Sequence, residues 1–207
     1  MVSPINKEYA LQAPVQNYFA DDVTGGTWPI TTNDISGGQA YKIALLNNSA
    51  TDHSAKTVIY IGLGPDGKSQ TETIFMPAGT ATVLSTLYYS SLISATPSAT
   101  IGADTMDIGF TSQFATPTIP MDYGSIGSLI SVNFVGTMTY SVESTADNIQ
   151  TKSPPFSWLD AGDPFIAATA SQQASNSQAP RALRVAVASY TGTPIFEFSI
   201  LQASNRG

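Results

Sequence analysis

The chain contains no cysteine. That absence removes disulfide frameworks, thiol catalysis and thiolate metal sites together, and it suits synthesis in a reducing cytoplasm. Histidine is almost as scarce, with His53 the single example. Cations are few: eight Lys and Arg, spread from Lys7 to Arg206 without a run, against fifteen Asp and Glu, for a net charge of −7. No nucleic-acid partner is expected, because phosphate neutralisation needs clustered cations. Charged residues make up 11% of the chain, against about 25% in ordinary soluble domains. No apolar run reaches the roughly 18 residues of a membrane-spanning helix, so no membrane partner is expected. The N-terminus, MVSPINKEYALQAPVQNYFADD, lacks a basic region ahead of an apolar core. A secretory leader is therefore not expected, and an extracellular destination would be reached by lysis or injection.

What the chain does have is core material: 42% hydrophobic and 10% aromatic residues in 207. That suits one large β-sandwich or two small ones. A surface so poor in charge is covered by Ser, Thr, Asn, Gln and Gly. It repels neighbours weakly, which fits a protein packed against copies of itself or against a larger assembly.

The periodicity is that of strands. Tyr41, Ile43 and Leu45 alternate with Lys42 and Ala44, Val58 and Tyr60 follow a polar loop, and Met106, Ile108 and Phe110 alternate with Asp107 and Gly109. Gly64-Pro65-Asp66-Gly67 and Pro77-Ala78-Gly79 read as turns. Ile130, Val132 and Phe134, then Val135-Gly136, then Met138, Tyr140 and Val142 read as a short-looped hairpin with one apolar face. Leu183, Val185 and Val187, a turn at Tyr190 to Pro194, and Phe196, Phe198 and Ile200 read as another. The fold class expected is all-β, an antiparallel β-sandwich or jelly roll. Two prolines in Phe114-Ala-Thr-Pro-Thr-Ile-Pro120 disfavour a continuous central strand there. The expected division is an extended N-terminal arm at 1–38, a first β module at 39–114 and a second at 115–207. The arm carries Tyr9, Leu11, Val15, Tyr18, Phe19 and Trp28, side chains costly to leave in water, along with the pairs Gly25-Gly26 and Gly37-Gly38. It is expected to lie on its own domain or on a neighbour.

The second half carries a specific series: VNFVGTMTYSVEST, Asp147, Trp158 with Asp160, a Ser/Gln-rich loop, and APRALRVAVASYTGTPIFEFSILQA. On Gly136, Tyr140, Val142, Thr145, Asp147, Trp158, Pro180, Arg181, Ala182 and Arg184, this resembles virion structural proteins of tailed bacteriophages. The similarity extends over roughly residues 70 to 203. Trp158-Leu159-Asp160 lacks the histidine that follows the tryptophan loop in such proteins. The resemblance implies a particle component, a capsid decoration or cement protein stabilising the head, assembled in the host cytoplasm and resident in the virion. Its partners would be the major capsid protein or other virion proteins, with a homo-oligomer, a trimer, expected. A head–tail junction, collar or tail-ring component is the alternative within that class. Tyr140 and Val142 are expected on the buried face, Trp158 as a core plug, and Arg181 and Arg184 paired to Asp147 or Asp160 or facing a neighbouring subunit.

No catalytic constellation stands out, and no enzyme is expected. His53 lies in a loop-like stretch with no Gly-x-Ser-x-Gly turn anywhere. Asp104 with Asp107, and Asp160 with Asp163, form carboxylate pairs of the kind fifteen acids produce by chance. Asp21-Asp22 and Asp160-Ala-Gly-Asp163 offer oxygen ligands without the Asp-x-Asp-x-Asp-Gly pattern of a calcium loop, so no metal or cofactor is expected. A carbohydrate-binding module using Trp28, Tyr88, Tyr89 or Trp158 is the alternative from another class.

Overall fold

The computed structural model describes residues 4–35, 39–121, 125–177 and 180–204, so the Gly37-Gly38 pair lies outside the described residues. Strand alternation dominates, and no helix occurs among the described residues. In chain order the strands are β1 (Ile5–Ala10), β2 (Val15–Val23), β3 (Ala40–Asn47), β4 (Thr57–Leu63), β5 (Ser69–Phe75), β6 (Thr82–Tyr89) and β7 (Ser91–Pro97). There follow β8 (Met106–Ala115), β9 (Ile119–Pro120), β10 (Ser125–Thr145), β11 (Leu159–Asp160), β12 (Gln172–Asn176) and β13 (Ala182–Ser204). The strand pairings are antiparallel, so the all-β expectation holds.

The chain divides into two compact units, Pro14–Pro117 and Met1–Ala13 with Thr118–Gly207. Residues 1–38 are therefore not one arm. β1 adds to β13 from Ile5↔Ile200 to Ala10↔Ile195, while β2 adds to β8. Each piece satisfies its backbone groups on a strand edge and buries its aromatic side chains there. The chain passes from the Pro14–Pro117 unit to the other between Pro117 and Thr118.

The Pro14–Pro117 unit has two sheets. In one, β8 lies between β2 and β3, and β3 lies between β8 and β6. The other runs β5-β4-β7. The Gly64–Gly67 turn joins β4 to β5, with Gly67 at φ 73° and its N–H donating to Gly64 O at 3.0 Å. The first sheet is filled by a cluster of rings: Tyr41 to Phe110 at 4.7 Å, Tyr41 to Phe114 at 5.5 Å, and Phe19 edge-on to Phe110 at 6.5 Å. Edge-to-face and tilted packing matches the ring quadrupoles and adds to burial. Tyr60 of β4 meets Tyr89 of β6 edge-on at 6.3 Å, which ties the two sheets. β2 approaches β8 so closely that a Cβ on Gly109 would stand 2.0 Å from Val15 O, so only glycine fits there.

In the other unit the two expected hairpins are corrected. Val135-Gly136 and Tyr190–Pro194 do not reverse the chain. Each lies inside one long strand, and β10 and β13 pair with each other from Ser125↔Ser204 to Thr145↔Ala182. The register steps from Val135↔Ile195 to Thr137↔Thr191, leaving Gly136 (φ 112°) opposite a stretch containing Gly192 (φ 73°). Both strands depart from regular geometry at the same level, so pairing resumes beyond it. A further step, from Thr139↔Ser189 to Tyr140↔Val187, makes Ala188 an extra residue. Ahead of it every residue from Ala182 to Val187 is buried, and beyond it the buried apolar residues are Tyr190, Phe196, Phe198 and Ile200. β1 and β9 flank β13, and β11 and β12 flank β10.

Candidate interaction surface

The aromatic residues of the first segment are mostly consumed by the fold. Tyr9, Leu11, Phe19 and Trp28 are buried, and Tyr9 stacks on Phe196 with centroids 4.9 Å apart. Tyr18 is half-buried and donates its hydroxyl to Asp34 O at 3.0 Å, while Val15 is only just exposed. None of this set forms a projecting apolar surface.

Of the residue series singled out in the second half, Gly136, Tyr140, Val142 and Thr145 lie on β10, Ala182 and Arg184 on β13, and Asp147 and Trp158 in the loop between β10 and β11. Tyr140 and Val142 lie in the core as expected, and Tyr140 donates its hydroxyl to Ala170 O at 3.1 Å. Burial pushes that phenol up to about 12. The ladder sets Arg184 opposite Glu143, and Arg184 Nε donates to Glu143 Oε2 at 2.6 Å. The partner is thus Glu143 and not the expected Asp147 or Asp160. Cross-strand register selects it, and register is legible only once β10 and β13 are known to pair. The Arg184 guanidinium also covers the Trp158 ring at 4.1 Å from its centroid, with Phe156 edge-on to the same ring at 6.5 Å. Trp158 is half-buried, a lid on Arg184 and not a core plug. Asp147 fixes the loop by accepting from Lys152 Nζ and from Ser157 N, each at 2.7 Å. The Lys152 bond, then the Ser157 amide, hold the Asp147 carboxyl below the usual carboxylate range. Arg181 is half-buried, with its N–H donating to Thr145 O at 2.8 Å.

His53 is buried in the β3–β4 loop. Its Nε2 meets Asp104 Oδ2 at 3.0 Å, and Nδ1 meets Lys56 Nζ at 3.1 Å. Lys56 also donates to Thr100 O at 2.8 Å, so the imidazole bridges two loops. With the lysine ammonium donating to Nδ1, the Nε2–H is left to donate to the carboxylate. The Thr51 hydroxyl first, then the bonds from His53 and Ser49, keep the Asp104 carboxyl below its usual range. Both ring nitrogens are occupied, so the ring offers neither a base nor an acid to a nucleophile.

Asp21 and Asp22 are brought together with Asp107, which sequence reading had paired with Asp104, and their oxygens lie within 4.8 Å of one another. Asp107 already accepts from the Asp22 N–H at 2.9 Å, and Asn48 donates to Asp22 at 3.2 Å. Asp160 and Asp163 belong to no such group among the described residues. The aromatic residues considered for glycans fare differently: Trp28 and Tyr89 are buried, Tyr88 lies under Lys42 at 5.5 Å, and Trp158 is covered by Arg184.

Sequence reasoning missed the outward positions of the β5-β4-β7 sheet. Ile59, Ile61, Phe75 and Ile93 are all exposed, Phe75 to 68%. The signal was present in the strand sequences TVIYIGL and SLISATP, which hold apolar residues on both parities.

The chain matches no protein-family model and no curated protein.

Proposed function

We propose that this chain is a structural component of a tailed-phage particle, a capsid decoration or cement protein that stabilises the head through contacts between subunits. One observation carries the reading. Three residues of the series that carries the resemblance meet in one place, where Arg184 bonds Glu143 and covers Trp158 while Asp147 holds the loop, and these contacts are internal and architectural. Such a set shapes a surface. The charge-poor composition supports the same reading, since close-packed neighbours repel little. In this role the protein is not an enzyme, and its partner is the major capsid protein.

The test is mass spectrometry and stained-gel stoichiometry of purified particles from a phage encoding this chain. Many copies per particle, lost from the shell together with resistance to heat when the gene is deleted, is the result expected. Absence of the chain from purified particles overturns the reading. A low copy number confined to one vertex moves it to a collar or tail ring.

A further inference from the structure

We propose that the outward face of the β5-β4-β7 sheet is a homotypic contact, which packs against the same face of a second copy of this chain. The inference rests on the assembly reading above and names the surface through which copies meet.

The three strands are seven residues each, and their register defines the face. Ile59 stands between Thr73 and Thr96, Ile61 between Thr71 and Ser94, and Thr57 beside Phe75. Ile93, at the register step of β7, is 54% exposed. An antiparallel sheet with one solvated face ordinarily alternates apolar inward and polar outward. Here Val58, Tyr60 and Ile74 fill the inner face, yet isoleucine and phenylalanine also occupy the outer one.

Charge selects the occupant. The single charged residue on the three strands is Glu72, and it turns inward, accepting from Thr86 N and Thr86 Oγ1 at 2.6 Å each. An acidic or basic partner therefore finds nothing on this face to pair with, and an anionic membrane finds no cations. Two copies of a chain carrying net charge −7 repel wherever their acids meet. They do not repel through a face without charge, and a two-fold axis makes such a face complementary to itself. Edge-to-edge pairing through β5 is the competing geometry. The inward-pointing Glu72 blunts that edge, a common device against strand addition. Face-to-face packing remains.

Size sets the strength. Strands about 4.8 Å apart and rising about 3.3 Å per residue give a footprint of about 300 Å². A stable dimer buries about 800 Å² per partner. The contact is therefore weak in dilute solution and forms where copies are held side by side at high local concentration.

Sedimentation equilibrium of the full chain across a wide concentration range tests this, with Ile61→Lys and Phe75→Lys on the face and Val135→Lys as a control at an 80% exposed position elsewhere. The wild-type chain and the control should self-associate as concentration rises, more strongly with added salt, which screens the net charge. Each face variant should weaken association about tenfold or more with an unchanged circular dichroism spectrum, although lysine lowers the net charge and so reduces overall repulsion. A wild-type chain that stays monomeric at the highest concentration overturns the proposal. So does association that survives both face substitutions or is lost in the control. Association of the expected kind in a chain absent from purified particles leaves this contact standing and overturns the particle reading alone.

Discussion

The two units handle a bend in a strand in opposite ways. In the Pro14–Pro117 unit the chain leaves one sheet for the other: β6 ends at Tyr89, Ser90 donates its N–H to Leu63 O at 2.8 Å, and β7 begins in the second sheet. In the other unit β10 and β13 stay paired through their irregularities, because Gly136 and the Gly192 stretch lie opposite each other. A strand that changes sheets needs only local hydrogen bonds at the corner. Two strands that bend together resume pairing beyond the irregularity, with glycines on both strands at Gly136 and Gly192 and with the single extra residue Ala188 absorbed as a bulge.

The contrast is broken most severely at Gly109, where a close backbone approach leaves no room. Gly109→Ala should cost about 3 kcal/mol and lower the urea midpoint, with hydrogen exchange accelerating first in β2 and β8. Unchanged protection there means β2 does not pack as described. In the other unit the larger sensitivity is to Arg184. Arg184→Ala leaves Glu143 without its guanidinium and uncovers Trp158, at a cost of about 2 kcal/mol given that the pair is only partly buried, and it should shift tryptophan fluorescence to the red. Arg184→Lys should recover only part of both, because an ammonium gives neither the planar stack nor the same fork of donors.

Gly136→Ala sharpens the comparison from the other side. Its φ of 112° is disfavoured for a residue with a side chain, and the added Cβ would stand 3.1 Å from Pro194 Cβ. A loss of about 1–2 kcal/mol is expected, less than at Gly109, because a 3.1 Å contact needs a shift of a few tenths of an ångström whereas one of 2.0 Å is a direct overlap with backbone. Equal losses at the two glycines would falsify the distinction between a tight approach and a tolerated bend.

The smallest effect is on acid stability. Hydrogen bonds lower the carboxyls of Asp52, Asp104 and Asp147 from an ordinary value of 3.8. A depressed folded-state value means the stabilisation is present above 3.8 and is lost as pH falls through the lowered values. Thermal scans between neutral pH and pH 3 should show a modest decline confined to the acid end. Asp147→Asn should flatten part of it. A decline beginning near neutrality contradicts the assignment.

The strand content of this chain was legible because alternation survives any tertiary arrangement: Tyr41, Ile43 and Leu45 in β3, or Met106, Ile108 and Phe110 in β8, had one face to bury whichever partner they found. The turn at Gly64–Gly67 was legible for a similarly local reason. The apolar series 130, 132, 134, 138, 140, 142 keeps one parity across Gly136, which a straight strand explains as well as a hairpin with an odd loop does. Nothing local separates the two. The parity switch between Val187 and Tyr190 likewise marked the bulge at Ala188, but only beside its partner strand does the extra residue show.

The candidate site divides in the same way. Composition set the charge-poor surface and the lack of thiol chemistry, and local period set the all-β class, because these follow from which side chains exist and from how they alternate along the chain. Only the tertiary structure decided that Arg184 meets Glu143, that the first segment is shared between two units, and that Ile59, Ile61, Phe75 and Ile93 stand together on one uncharged face. Those are facts about register and pairing between strands distant along the chain. Their energy is not contained in any short stretch of sequence and appears only when the partners are in place.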